Sequence, residues 1–523
     1  MSKIIGIQGK FDGNLLNSML KAINYEDRLI KSKFKKGIFL SSENNTIFNN
    51  KFCNISFQND KNNSFNIGLG VINPNDKELQ PIQYKNLTLV FDGVIYNIDE
   101  INSILSNSNN EDVVYSSEIL AIKLIYKFYS EFSDLKKSIE KVKNLINGDY
   151  AFAVFDGTNL AISRDSLGVN PLYYNVNDFN SFASEKKSLW KIGINNNDIS
   201  SLKPGHILYN WKDFPSKSNP WDIDYSDHND FVLDTDEEDN YYKFKNYLSK
   251  LIMNSTYDRI KGLDKVGLVF SGGVDSTILA TILKKYSESS KIDVTLYTVG
   301  VENSIDLKYS KKIAKKLDFT LKTQIIDEEL VRKSLNPVLK AIEEEDLMKV
   351  GVGMTLYLGT KLAFNDDIPV VLAGQGADEL FGGYYRYLAT LNQKGEDQLQ
   401  KELIHDMKYC YDVNLERDAK IASSNGVQLR VPYLDEKVVN FALNIPIKYK
   451  IKLNENNEDP LRKRILRDLA LDIGVDEEIA MRPKKAAQYG SGIDKIIRKK
   501  ILKDTDLNKI MENIIDSYSN NKN

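Results

Sequence analysis

The apolar positions of this chain follow two regimes, and the change between them falls near residue 210. Before it, short apolar runs bounded by turn residues predict strands, among them 87–91, 151–155, 160–163 and 172–175. Helical spacing interrupts them near 12–24 and 116–131, where Ile119, Ile122, Ile125 and Tyr126 share a face. This mixture predicts layered sheets with helices outside. From about 241 the pattern alternates: helix 241–260, strand 266–270, helix 276–286, strand 294–299, helix 306–317, strand 320–326, helix 351–364, strand 370–373. Such alternation predicts a parallel sheet wound by helices, with ligands at the carboxyl ends of the strands. Beyond 384 the chain reads as helical throughout, and its last residues read as disordered.

Residues 221–240 between the two regimes are rich in acids, including Asp222, Asp230, Asp236 and Glu238. A metal site or a basic partner would use such a run, but a solvated linker explains it with less. The division expected is therefore a domain over 1–210, a linker over 211–240, a second domain over 241–510 and a disordered tail over 511–523.

At 523 residues, 42% hydrophobic and 27% charged, the chain has the make-up of a soluble multi-domain protein. A net charge of -3 leaves no electrostatic footprint for nucleic acid or an anionic membrane. Cys53 and Cys410 form no disulfide framework, and the scattered His206, His228 and His405 argue against a zinc site or a Ser-His-Asp triad. No signal peptide or membrane span is evident, so a cytoplasmic location is expected.

The most informative stretch is Ser271, Gly272, Gly273, Val274, Asp275, Ser276 and Thr277, set between the strand at 266–270 and the helix that follows. A glycine pair at a strand–helix junction lets backbone N–H groups turn toward an anion. Three hydroxyls add donors, and Asp275 can hold a divalent metal against phosphate oxygens. The loop lacks the lysine of GxxxxGK(S/T), so it is a different phosphate cradle. A plain turn would explain its glycines but not the hydroxyls and acid beside them. A second glycine-rich turn with two acids, GQGADELFGGY at 374–384, follows the strand ending at Ala373. A turn with exposed acids competes with a metal–phosphate contact there. Alone, QLRVPYLD at 428–435 reads as a helix-ending turn, and Arg482-Pro483-Lys484 reads as a surface loop.

In this order the four segments resemble the synthetase domain of the asparagine synthetase family, with its SGGxDS loop, SGEGSDELFGGY segment, ExRxPFLD segment and late RxK motif. NLERD at 414–418 resembles the family's NLxRD run. The resemblance implies a PP-loop ATP pyrophosphatase fold using ATP and Mg²⁺. Backbone near Val269 and Val299 would hold adenosine, Ala373 and Gly374 would line the nucleotide, and residues 271–277 would clamp phosphates. Asp275 and Asp378 are the implied Mg²⁺ ligands, and Lys484 the implied stabiliser of the pentavalent phosphate or pyrophosphate. Gln375 stands where the family has a glutamate that handles the incoming ammonia, and Gln428 also replaces an acid. The implied substrates are a small carboxylate, aspartate first, and ammonia or an amine; a homodimer is compatible with the family. Relatives of the β-lactam synthetase type vary at the position of Gln375 and close a ring with an internal amine, which is the alternative. A non-catalytic nucleotide-binding homologue and an RNA-modifying relative are weaker readings.

The N-terminal half resembles the family's glutaminase domain, an N-terminal-nucleophile hydrolase-like αββα sandwich. GVIYN at 93–97, RDSLGVNPLYY at 164–174 and FASEK at 182–186 carry the likeness. Four departures imply lost chemistry. Ser2 replaces the nucleophilic cysteine and Asp92 replaces the oxyanion-hole asparagine. Ser116 stands for the acid that receives the glutamine amino group, and no RGPD segment occurs at 25–50. A serine hydroxyl is the weaker nucleophile, and an ionised carboxylate repels an oxyanion.

Overall fold

The computed structural model describes residues 2–24, 35–42, 46–49, 64–73, 80–106, 114, 116–177, 179–215, 236–453, 461–483 and 486–519. Lys484 and most of the acidic run at 221–240 lie outside the described residues. The chain divides into two compact units, Met1–Asn219 with Leu507–Asn523, and Pro220–Asp506.

In the first unit, seven antiparallel strands order as Ser200–Ser201, Tyr173–Asn175, Asn180–Ala183, Lys3–Asp12, Ser64–Asn73, Lys35–Ser41 and Thr46–Asn49. Six more order as Lys212–Phe214, Ile207–Tyr209, Leu160–Arg164, Gly148–Phe155, Leu87–Ile95 and Ile82–Tyr84. The two-residue period of the strands builds the layers. Along Leu87–Ile95, Leu89 and Phe91 pack with Leu120, Leu124 and Ile139 of helices on the outer face. Val90 points the other way, into an inter-sheet core with Ile4, Leu69 and Val71. Helix Gly13–Ala22 covers the opposite sheet through Leu16 and Leu20 against Ile5, Ile7 and Leu40. This is the expected αββα sandwich.

The RDSLGVNPLYY segment is a structural knot within it. Asp165 accepts backbone N–H groups from Leu167, Val169 and Asn170, while Arg164, fully buried, donates to the carbonyls of Leu202 and Gly168.

The second unit is built on five parallel strands ordered Thr320–Ile325, Asp293–Gly300, Lys265–Val269, Val370–Leu372 and Gln428–Arg430. The first strand in sequence lies in the middle. The chain winds outward on one side, then returns to start again on the other. That reversal opens a crevice beyond the carboxyl ends of Lys265–Val269 and Val370–Leu372, where open α/β sheets take ligands.

Four expectations are corrected. Residues 428–430 are not a helix-ending turn but the edge strand, paired Val370 to Gln428 and Leu372 to Arg430. Its β-branched content is low, which hid it. The chain after 384 is thus not helical throughout, and a small ribbon pairs Ile451–Lys452 with Leu461–Arg462. The stretch from 511 is not a disordered tail up to 519: helix Leu507–Ser519 buries Leu507, Met511 and Ile514 at i, i+4 and i+7. The expected linker is shorter at both ends, because Lys212–Phe214 pairs into the six-stranded sheet and helix Glu237–Asp258 starts at an Asp236 cap.

Candidate active site at the strand ends

The loop at 271–277 turns where only glycine fits. Gly272 has φ +65°, and a Cβ there would meet the Ser310 backbone nitrogen at 3.0 Å. Gly273 caps helix Val274–Ser290, whose positive end therefore faces the loop. The hydroxyls are arranged for two purposes. Thr277 donates to the Gly273 carbonyl at 2.8 Å and is buried, so it stiffens the loop rather than facing a ligand. Ser271 and Ser276 stand 3.4 Å apart on the cavity wall.

A cavity of about 450 Å³ opens beside this loop. Of the residues singled out in the sequence, Val269, Ser271, Gly273, Val274, Asp275, Ser276, Val299, Ala373, Gly374, Gln375 and Asp378 line it. Gly272 and Thr277 do not; they shape the loop from behind.

Asp275 and Asp378 come together through a residue that the sequence pattern does not reveal. Lys463 Nζ lies 2.7 Å from Asp275 Oδ2 and 2.7 Å from Asp378 Oδ1, and Lys463 is fully buried. Its backbone is left-handed, φ 57°, directly before helix Arg464–Asp472. Gly383 leaves room for this bridge, since a Cβ would fall 1.9 Å from Asp378 Oδ1 and 2.3 Å from Lys463 Cε. The two glycine-rich loops are thus joined by one ammonium group.

Arg482 is not on a surface loop. Its guanidinium is buried, donates to the carbonyls of Ser271 and Gly272 at 3.1 and 2.9 Å, and pairs with Asp306 at 2.6 Å. Tyr433 Oη donates to the Asp275 carbonyl at 2.9 Å, so the 428–435 segment props the loop from below.

On the far wall Cys410, Val413, Asn414 and Arg417 line the cavity at i, i+3, i+4 and i+7. Asn414 and Arg417 belong to the NLERD run at 414–418, whereas Cys410 and Val413 carry no signal in the sequence beyond helicity. Arg417 Nε donates to Asp418 Oδ1 at 2.7 Å, and Gln375 Nε2 donates to Asp418 Oδ2 at 2.6 Å. Burial pushes the Asp418 carboxyl up, while Arg417 opposes it. Glu379 is buried too, accepting from Tyr384 Oη at 2.6 Å and Asn414 Nδ2 at 2.9 Å. Desolvation, then the neighbouring Asp378, raises its carboxyl above the ordinary range.

The sequence matches the asparagine synthase family over residues 248–394 and 391–519, and a glutamine amidotransferase domain over 69–191. A Methanocaldococcus jannaschii protein, provisionally named asparagine synthetase (glutamine-hydrolyzing) 1, is 40% identical over 463 residues, 80% of this chain and 81% of that one. This chain belongs to the asparagine synthase family. The human and rat asparagine synthetases (glutamine-hydrolyzing) are each 27% identical, over 79% of this chain and 74% of theirs. Membership makes the chain an asparagine synthetase-like, C–N bond-forming ligase.

The N-terminal unit holds the departures from the family pattern noted in the sequence. Ser2 Oγ is spent on Asn73 Oδ1 at 2.5 Å. The carboxylate of Asp92 is fully buried and faces Lys3, whose Nζ lies 3.7 Å away with 2% of the side chain exposed. Ser184 Oγ donates to the same carboxylate at 3.3 Å. Burial raises the Asp92 carboxyl and Lys3 pulls it back. An ion pair thus stands at the position that the resemblance assigns to an oxyanion donor.

The buried charges in both units can be tested by substitution. Lys463→Met should lower stability to urea by about 3 kcal/mol, because it strands two largely buried acids, and millimolar Mg²⁺ should restore part of it. Unchanged stability would show that the bridge does not hold the loops. Asp92→Asn should destabilise more than Asp92→Asn with Lys3→Met, giving a coupling of about 1–3 kcal/mol in a double-mutant cycle.

Proposed function

We propose that the second unit activates a carboxylate by adenylation, with aspartate the first candidate, and that ammonia or an amine then displaces AMP. The carboxylate oxygen attacks the α-phosphorus of ATP and pyrophosphate leaves with the bonding electrons. The nitrogen attacks the acyl carbon, AMP leaves with the carboxylate oxygen, and the nitrogen sheds a proton to solvent. The observation that carries this reading is the Asp275–Lys463–Asp378 bridge on a cavity at the sheet's switch point.

The chemistry of the donor set suits Mg²⁺, which takes one or two carboxylates and completes its shell with phosphate oxygens and water. Asp275 and Asp378 would hold it, and it would supply charge neutralisation to the β- and γ-phosphates. Among the described residues no group of three or more His, Cys, Asp or Glu could hold a metal, consistent with a site that borrows ligands from the nucleotide. Ser271, Gly273, Val274 and Ser276 clamp the phosphates, with Gly272 and Thr277 shaping the loop. Val269, Val299, Ala373 and Gly374 flank adenosine. Lys484 stabilises the pentavalent phosphate or pyrophosphate; Arg482, tied to the loop carbonyls, and Pro483, on the cavity wall, support that place for it.

Ammonia or an amine, rather than glutamine, is the nitrogen source, a reading supported by Ser2 and by the Lys3–Asp92 pair. Gln375 favours a second reading, amidation by an amine other than ammonia or ring closure by an internal one, because an amide cannot serve as a base.

The test is carboxylate-dependent pyrophosphate release from ATP and Mg²⁺, with ammonium and with glutamine. Asp275→Ala and Lys484→Ala should each reduce it by roughly 10²–10³-fold; wild-type rates in both would overturn the assignment. Glutamine should support no amide formation, and glutaminase activity lost in Ser2→Ala would contradict the nitrogen source.

A further inference from the structure

Polarity in the cavity is inverted at its opening. Among the described residues that line it, six are exposed: Met348, Arg386, Tyr409, Val413, Pro483 and Tyr489. Five of the six are apolar or aromatic, and Met348, Tyr409, Val413 and Tyr489 are between 37% and 58% exposed. The sixth, Arg386, is already matched, lying 2.5 Å from Asp406 and 3.4 Å from Glu402. The less exposed lining carries Ser271, Asp275, Gln375 and Asp378. Exposed apolar groups that converge on the mouth of a polar site mark a surface that a ligand covers. The opening is held in shape from three sides. Lys349 Nζ, beside Met348, donates to the Asp412 carbonyl at 2.9 Å, tying helix Leu347–Asn365 to the π-helical turn Tyr411–Leu415 that carries Val413. Helix Ala487–Gly490, which carries Tyr489, packs over Gly351, where a Cβ would come within 3.5 Å of Gln488 Cβ. Tyr409 rests on His405, with ring centroids 4.6 Å apart.

We propose that this rim binds an uncharged aryl or alkyl group on the nitrogen nucleophile, so that the second substrate is an apolar primary amine rather than ammonia. This rests on reading the cavity as an amidation site and names the class of amine. The other reactants leave the rim uncovered. Adenosine, in that reading, lies at Val269 and Val299, where Tyr297 and Leu356 are also buried on the cavity wall. The phosphates lie at 271–277, and aspartate is small and charged at each end. The nitrogen enters last, once the acyl-adenylate fills the interior, so its substituent trails toward the opening. Ammonia has no substituent and would leave the apolar rim uncovered. An anionic substituent would meet no unmatched cation among the exposed lining residues described. The bond changes are unaltered: the amine nitrogen bonds to the acyl carbon, AMP leaves with the carboxylate oxygen, and one N–H proton passes to solvent.

The experiment gives the full-length protein ATP, Mg²⁺ and aspartate, or whichever carboxylate supports ATP–pyrophosphate exchange. Ammonia, methylamine, ethanolamine and 2-phenylethylamine are then compared at equal concentrations of free base. KM should fall at least roughly tenfold from methylamine to 2-phenylethylamine, as expected for burying one ring, and stay near the methylamine value for ethanolamine. Met348→Asp removes one rim side chain and suits the fold, because Met348 is exposed in the first turn of its helix, where an acid is favoured. It should raise the KM for 2-phenylethylamine roughly fivefold and that for methylamine less than about twofold. Equal KM values across the amines overturn the proposal, as does ammonia as the sole nitrogen donor. An equal loss of exchange in Met348→Asp also overturns it, placing the rim on the nucleotide or the carboxylate. Absence of exchange in the wild type with every carboxylate tried would overturn the amidation reading and the proposal with it, a result distinct from each of these.

Discussion

One buried ammonium group joins the two glycine-rich segments of the second unit. Asp275 and Asp378 sit in the first turns of helices Val274–Ser290 and Ala377–Phe381, which follow two neighbouring parallel strands, and like charges so placed repel unless a cation lies between them. Lys463 supplies that cation at 2.7 Å from each, leaving the trio with a net charge of one minus. The arrangement is balanced for nucleotide chemistry. One positive charge keeps the loops together, and the residual negative charge favours a divalent cation brought in with phosphates. Much else follows from making room for this contact: the glycine at 383, the left-handed backbone of Lys463, and the anchoring of the 271–277 loop by Arg482 and Tyr433.

Local chemistry made the two glycine-rich loops legible in the sequence. A plain turn needs glycine but neither hydroxyls nor acids, so their crowding at strand ends points to phosphate and metal. The helix–strand alternation then placed both loops on the right side of a parallel sheet. Lys463 was not legible, because a lysine among Arg462, Arg464 and Arg467 looks like an exposed helix face. Only the fold shows that it points inward. Arg482 was hidden for a similar reason: its partners, the carbonyls of 271 and 272 and Asp306, are about two hundred residues away in sequence. The strand at 428–430 was masked by its composition. The helix at 507–519 shows the opposite error, where a polar ending obscured a regular apolar stripe.

The two units have kept different things. In the first, the buried knot of Arg164 and Asp165 ties the sandwich together, while Ser2, Asp92 and Ser116 differ from the residues that the family resemblance implies at those positions. Fold and reaction rest there on different residues, so one can persist without the other. The buried Lys3–Asp92 pair shows how a buried acid becomes tolerable: a carboxylate that would be expensive alone is matched by a lysine on a strand of the other sheet. In the second unit Ser271, Ser276 and both acids line one cavity, with Lys463 between the acids.

The central claim is that ATP is split between its α- and β-phosphates by a carboxylate oxygen. Its most direct test is to supply ¹⁸O-aspartate with ATP, Mg²⁺ and ammonium and to weigh the nucleotide products. Adenylation predicts AMP carrying one ¹⁸O atom, accompanied by pyrophosphate and amide. Label in inorganic phosphate with ADP as the nucleotide product, as expected of an acyl-phosphate route, would contradict the account.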